Sequence, residues 1–406
     1  MKKDTNLYDR LLILLVFLVG FGQIGGALQL SRIAAILVAP LLVTKYGGCR
    51  YAKGIAAGLG IFYAFCVFSL LWTPDRSEGI KEVLYYAVHL TLFMEIIVFA
   101  RYANSPLKNI STGWLLAVLL CSGIAYWELT TGNHLDVSKE QKDYYNTGYE
   151  VLNFMRANAT FYNYNDFAAF LCMAMPWLVY GLRDSNSGWV KRTAAILAVI
   201  SSVIIILLNA SRGGLVSIAI MAVIFFFMSA KGRSRWYSLL LLIPVVAVVY
   251  YLYNQSAFAV ITARSSDGGL FEGEARYVIW YHAMQTLGDT FGLGTGIGGI
   301  EASMEKYAHG GITITHNLFI EIMLEFGVIV VVAFVVFLWR QFKRTLRLDS
   351  DRKMVLLMSL VAMPVYGIIS SGYLLNAHLY VLMATIYVFA SYERIKYPYG
   401  AVRTAA

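Results

Sequence analysis

The chain has 406 residues, 59% of them hydrophobic and 14% charged, with a formal net charge of +9. Soluble domains carry about 25% charged residues, so the composition excludes an ordinary soluble fold, and the alternating segments of a membrane β-barrel are missing. The positive charge does not point to nucleic acid, because Lys and Arg follow a topological pattern rather than forming a patch.

Stretches apolar enough to cross a bilayer, which takes about 20 residues, recur along the chain. In order, helices are expected near 11–26, 28–44, 54–73, 82–100, 111–130, 165–182, 193–209, 213–230, 237–253, 317–339, 354–371 and 374–391. Lys2, Lys3 and Arg10 ahead of the first resemble a signal peptide, but the second span follows so closely that an uncleaved first helix is expected. The first two spans are short and meet at Gly25-Gly26, which leaves a re-entrant pair as the alternative. Cys49, Cys66, Cys121 and Cys172 have no metal-like spacing and read as inert thiols. Glu95 and His89 in the fourth span read as bundle packing rather than a proton relay. The fold class is an all-α polytopic membrane protein with about twelve transmembrane helices. It is read as a single membrane domain over 1–406 with no internal repeat.

With the N-terminus in the cytoplasm, Lys and Arg concentrate in alternate connections: Lys45, Arg50 and Lys53; Arg183, Lys191 and Arg192; Arg340 to Lys353; Arg394 to Arg403. Both termini then lie inside. A polar insert at 254–316 and a second loop at about 131–164, with Tyr144, Tyr145, Asn146 and Tyr149, lie outside. The insert holds Arg264, Asp267, Glu272, Glu274, Arg276, His282 and Asp289. A large polar loop on an apolar scaffold is where chemistry is expected.

On this topology even-numbered helices begin at the outer surface, beside Arg156, Arg212 and His316. Their positive dipole ends and free N–H groups favour anions, phosphate above all. Ser211 and either Asn165 or Asp166 are the expected N-caps, and Gly213-Gly214 allows a ligand close to the backbone. Arg276 opens a run with apolar residues at helical spacing, read as an amphipathic helix at the outer interface, with Trp280 and Tyr281 in the aromatic belt. Two guanidinium groups in a dry site suit a leaving diphosphate without metal. His316 suits a general base, and Glu321 or Glu325, deeper on the same span, could orient a neighbour.

Each residue also has a plainer reading. Outer arginines snorkel, a histidine at a helix start caps it, and intramembrane glutamates join helices. Gly292 to Gly299 lacks the Lys-Ser/Thr ending and strand–helix setting of a phosphate loop, and reads as a tight turn returning the external helix to the membrane. Glu272 and Glu274 could hold a divalent cation, but Arg276 beside them favours salt bridging; no metal or cofactor is expected.

Taken together, Ser211-Arg212-Gly213-Gly214, Arg276 with Trp280, Gly292-x-Gly294-x-Gly296 and His316-Asn317-x-x-x-Glu321 resemble, in order and helix position, the O-antigen ligase and Wzy-type polymerase family. Thr160-Phe161-x-Asn163-x-Asn165 is similar to that family's stretch before its middle span, although the usual Asn-Pro-Asn reads Asn163-Tyr164-Asn165. The likeness covers roughly 150–330. It implies a GT-C-like, inverting, metal-independent glycosyltransferase at the outer face of the bacterial inner membrane. The donor would be an undecaprenyl-diphosphate-linked glycan, and the acceptor another lipid-linked repeat or the lipid A core. By position, Arg212 and Arg276 match the diphosphate-binding arginines and His316 the acceptor-activating histidine. Arg156, Asn163, Asn165, Ser211, Gly213, Trp280, Asn317 and Glu321 are the candidate substrate-binding residues. The alternative is a transporter or flippase for lipid-linked saccharides. Transporters favour internal repeats and midplane ionisable groups, whereas polar residues here gather at the outer edge.

Overall fold

The computed structural model describes residues 6–137, 156–184, 187–209, 211–230, 232, 270–307, 314–348, 350–370 and 372–397, with backbone only at 270–275 and 350. These residues form helices and no strand: α1 (Leu7–Phe17), α2 (Leu30–Tyr46), α3 (Lys53–Ser69), α4 (Arg76–Tyr102), α5 (Pro106–Thr131), α6 (Tyr164–Arg183), α7 (Trp189–Leu208), α8 (Arg212–Ser229), α9 (Leu270–Asp289), α10 (Ile300–Met304), α11 (Leu318–Thr345), α12 (Ser350–Tyr366) and α13 (Ala377–Lys396). Among them α3 to α8 and α11 are each long and apolar enough to cross a membrane. The protein is an all-α polytopic membrane protein. The span expected at 237–253, Tyr144, Tyr145, Asn146, Tyr149, and the side chains of Arg264, Asp267, Glu272 and Glu274 lie outside the described residues.

Every other expected span has a helix at its place, with shifted ends. The first was expected to reach 26, but α1 stops at Phe17 and passes through one 3-10 turn, Leu18–Phe21. Gly22, Gly25 and Gly26 have φ of 49°, 89° and 57°, conformations that only glycine adopts freely. The turn packs closely: a Cβ on Gly22 would lie 2.5 Å from the Thr160 carbonyl oxygen. At the other extreme α4 starts six residues before its expected 82, because the Asp75 carboxylate accepts from the Ser77 and Glu78 amides and caps it. The span expected to end at 371 stops at Tyr366, and the residues after it form a loop that the site uses.

Alternate connections sort to opposite ends of the bundle. At one end Gln23 donates its amide to the Thr160 carbonyl, Trp72 its indole to Gly294, and the Asn209 side chain brackets the Ala157 backbone. At the other, Asp9 receives the Asn104 and Ser105 amides, Tyr102 bonds Lys45, Arg183 meets Asp351 and Arg344 bonds Ser391. The described residues of the basic connections singled out in the sequence lie at this second end. Between the ends α13, α6 and the second half of α4 are buried along almost every residue and form the centre, while α2, α3, α7 and α8 expose Leu, Ile, Val and Phe outward.

The longest helix, α11, is broken at Gly327 (φ 83°, ψ 177°). A break inside a membrane protein strands backbone groups that only protein can satisfy. The glycine run supplies the partners: Thr295 N–H donates to Leu324 O at 2.7 Å, Gly296 N–H to Glu325 O at 3.0 Å, and Val328 N–H to Gly292 O at 3.0 Å. Gly292, Gly294, Gly296 and Gly298 all have positive φ, and a Cβ on Gly294 would sit 2.6 Å from both Glu325 O and Gly327 N. The run is thus more than the expected turn: it is a backbone splint laid across the break.

Candidate functional site

The first end of the bundle carries the site, and the loop between α12 and α13 is its hub. Leu318 N–H donates to Gly367 O at 2.8 Å, fixing the start of α11. Arg276 Nη1 donates to Ile368 O at 3.4 Å. Gly213, beside Arg212 in the first turn of α8, faces Ile369 so closely that a Cβ would lie 2.7 Å from its Cγ1. Ser370 Oγ donates to the Asp166 carboxylate at 2.7 Å, tying in the start of α6. The Glu321 carboxylate accepts from Tyr373 N–H at 3.0 Å and Leu374 N–H at 3.0 Å. Arg276 and the helix starts that carry Arg212 and His316, distant in sequence, therefore converge on consecutive residues 367 to 369.

His316 has φ 50°, a left-handed conformation uncommon outside glycine but enriched in histidine. Its neighbours hold it there. Trp280 Nε1 donates to the Thr315 carbonyl at 2.7 Å, Thr315 Oγ1 donates to Asn317 O at 3.3 Å, and the Asn317 side chain caps α11 by accepting from Phe319 N–H and Ile320 N–H. Trp280 is available because α9 docks on the first turns of α11 through a small apolar cluster of Ile279, Ala283, Met304 and Leu324. The helix expected to open at Arg276 begins earlier, at Leu270.

One expected cap is corrected, and the other stands in its position without the side-chain bond. α6 is capped by Asn163, whose side chain accepts from Asn165 N–H and Asp166 N–H, both at 2.9 Å, and not by Asn165 or Asp166. Ser211 occupies the N-cap position of α8 without a side-chain cap bond, and its Oγ is buried with no hydrogen-bond partner in the structure. Arg156 is 5% exposed and lies with its guanidinium carbon 4.6 Å from the Tyr164 ring centroid. The strand of backbone after it is held by Glu128, which receives the Asn158 and Ala159 amides at 2.8 and 2.7 Å.

A cavity of about 780 Å³ opens among these elements, within the size range of small-molecule sites, about 300–1,000 Å³. His316, Thr315, Asn163 and Glu321 line it, and Arg212 and Arg276 do not. Sequence reasoning missed its far wall: Gln23, Gln29, Arg32, Glu82 and Tyr85. Glu78, Glu82 and Tyr85 stand at helical spacing on α4, a signal that was legible; Arg32 was lost among the outer basic residues. His89 is buried in the bundle, with its ring stacked on Tyr380 at 4.8 Å and its Nε2 accepting from Arg32 Nε. All four cysteines are buried and free.

Residues 196–335, which include Arg212, Arg276, Trp280, His316, Asn317 and Glu321, match the family model described as O-antigen ligase. Through this stretch the chain is similar to the O-antigen ligase family. The match spans most of α7, then α8 to α10 and the broken α11 up to 335, so the splint and the docked α9 lie within the matched stretch. Arg156, Asn163 and Asn165 lie before it. The chain is also similar to the teichuronic acid biosynthesis protein TuaE of Bacillus subtilis (strain 168), 22% identical over 298 residues. That similarity covers 70% of this chain and 58% of TuaE, so the chain spans less than two thirds of that relative. Its long apolar helices make this chain a multi-pass membrane protein.

Proposed function

We propose that the protein is a glycosyltransferase that moves a glycan from undecaprenyl diphosphate to a hydroxyl of a saccharide acceptor, either another lipid-linked repeat or the lipid A core. The observation that carries this reading is the convergence of Arg276, the α8 start and the α11 start on residues 367 to 369, with His316 facing the adjoining cavity. Arg212 and Arg276 hold the diphosphate, and the charge that develops on it is met by guanidinium groups and the α8 amides without a metal. His316 takes the proton from the acceptor hydroxyl as that oxygen attacks the anomeric carbon from the face opposite the diphosphate, inverting the centre. Trp280, Asn317 and Glu321 position these groups. Arg156, Asn165, Ser211 and Gly213 shape the diphosphate side, and Asn163 binds substrate from the cavity side. The site faces away from the cytoplasm, and both termini lie inside.

Reconstitution with purified lipid-linked repeats, with and without lipid A core, tests this. Arg212→Ala and Arg276→Ala are each expected to lower transfer by about 10²–10³ and His316→Ala by about 10²–10⁴, with normal insertion. Full transfer by all three variants would remove the enzymatic reading and favour a lipid-linked saccharide flippase. A ladder formed without core marks a polymerase, and a single transfer onto core marks a ligase. Transfer is expected to survive EDTA; its loss would point instead to a cation at Glu272 and Glu274.

A further inference from the structure

The wall of the cavity built by α2 and α4 lies outside the family match and takes no part in the chemistry just described. Glu78, Glu82 and Tyr85 follow one another at four and three residues on α4, so they share one helix face, and all three line the cavity. From α2, Arg32 lays its guanidinium 3.9 Å from the Tyr85 ring centroid. Its nitrogens are supplied with acceptors: His89 Nε2 at 3.2 Å, Leu375 O at 3.0 Å and Ala27 O at 3.3 Å.

Glu82 is in the opposite position. It is 8% exposed, and its Oε2 has no hydrogen-bond partner in the structure. The Glu82 carboxyl pairs with that of Glu325 and still leaves its Oε2 without a donor, which is costly when buried, so the unmet demand of this wall is for a donor. Gln29 donates to Gln23 at 2.7 Å and Gln23 donates to Asn376, which adds a chain of planar amides to the same cavity lining. Six carboxyl groups line the cavity against one arginine, Glu78, Glu82, Asp166, Glu301, Glu321 and Glu325 against Arg32. An acidic ligand would meet a single arginine on this lining, and its nitrogens are already supplied with acceptors. A ligand rich in hydroxyl donors and carrying no charge fits.

We propose that the α2–α4 wall is the acceptor's saccharide subsite, where Glu82 receives a hydroxyl of an uncharged sugar held against the Arg32–Tyr85 pair. The assignment to the acceptor rests on the reading of His316 as its base: His316 lines this cavity and Arg212 and Arg276 do not, so a sugar seated in the cavity brings its hydroxyl to His316. The donor diphosphate stays on the arginine side.

Binding to the full-length protein in lipid nanodiscs, followed by calorimetry, tests the subsite with two probes. One is undecaprenyl diphosphate without sugar; the other is the neutral oligosaccharide freed by mild acid from the cells' own lipid carrier. Glu82→Gln is expected to weaken the oligosaccharide about ten-fold or more and leave undecaprenyl diphosphate unchanged, which also certifies its folding. Tyr85→Ala is expected to do the same and carries the test if Glu82→Gln fails to accumulate. Arg276→Ala is expected to weaken only undecaprenyl diphosphate; if it weakens neither probe, the diphosphate reading fails while the subsite stands. No binding of oligosaccharide to the unaltered protein, or unchanged binding in both α4 variants, overturns the subsite. Equal binding of a uronic-acid oligosaccharide overturns its preference for uncharged sugar.

Discussion

At the scale of single residues, the position of His316 is set by bonds to its neighbours' backbone. The Trp280 indole holds Thr315 from one side and the Asn317 cap holds the helix on the other. Trp280→Phe keeps the aromatic bulk and removes the N–H, so α9 stays docked while the 315 carbonyl is released. Turnover is expected to fall about ten-fold, since a small misplacement of a reacting group is enough to cost that much, with little change in thermal stability. Asn317→Ala removes the cap and is expected to cost about 1 kcal/mol of stability as well as turnover; a melting curve for each variant separates the two cases. The side chains that carry this geometry were legible as residue types. Their roles were only partly so: an Asn-x-Asn-Asp run offers several oxygens to one helix end, and which one caps depends on where the chain turns. Arg32 was hidden for a different reason, because a basic residue at an outer helix end looks the same in sequence whether it snorkels or turns inward.

At the scale of elements, the bond between the glycine run and α11 makes its own prediction. Periodicity exposed the apolar length of α11 but not its break, since one glycine in a hydrophobic stretch is common in membrane helices. The run at 292–299 showed its glycines without showing what they touch. In the structure the two features explain each other: Thr295, Gly296 and Val328 exchange backbone bonds across the break. Gly294→Ala puts a Cβ 2.6 Å from Glu325 O and Gly327 N at a φ of +82°. Backbone cannot yield as a side-chain tip does, so a loss of about 1–3 kcal/mol is expected, seen as a lower melting temperature and reduced membrane yield. Gly292→Ala is the control. Its nearest neighbour is the Val328 side chain at 3.6 Å, so it shares the unfavourable φ without the collision and is expected to lose less. Equal losses in both would mean that strain alone matters and that the splint does not.

At the scale of the whole molecule, two observations made independently agree. Lys and Arg cluster in alternate connections of the sequence, and the structure carries those connections to the end opposite the cavity, where Arg101, Lys108, Arg183, Lys191, Arg344 and Arg352 are engaged with neighbouring helices. The positive-inside rule concerns such short loops, and on that ground we propose that the cavity faces outward. The order of helices was readable because length and hydropathy set it. The loop at 367–376 was not, because it continues an apolar stretch and its function lies in backbone groups that every residue has. Orientation can be measured directly, since the native cysteines are buried and give little background. Ser77, exposed at the cavity end, and Arg192, exposed at the other, are suitable labelling sites. A membrane-impermeant maleimide added to intact spheroplasts is expected to label Ser77→Cys and to reach Arg192→Cys only after permeabilisation. The reverse pattern would put the cavity in the cytoplasm, where a site working on outward-facing lipid-linked glycans has no substrate, and the proposed reaction would fall with the topology.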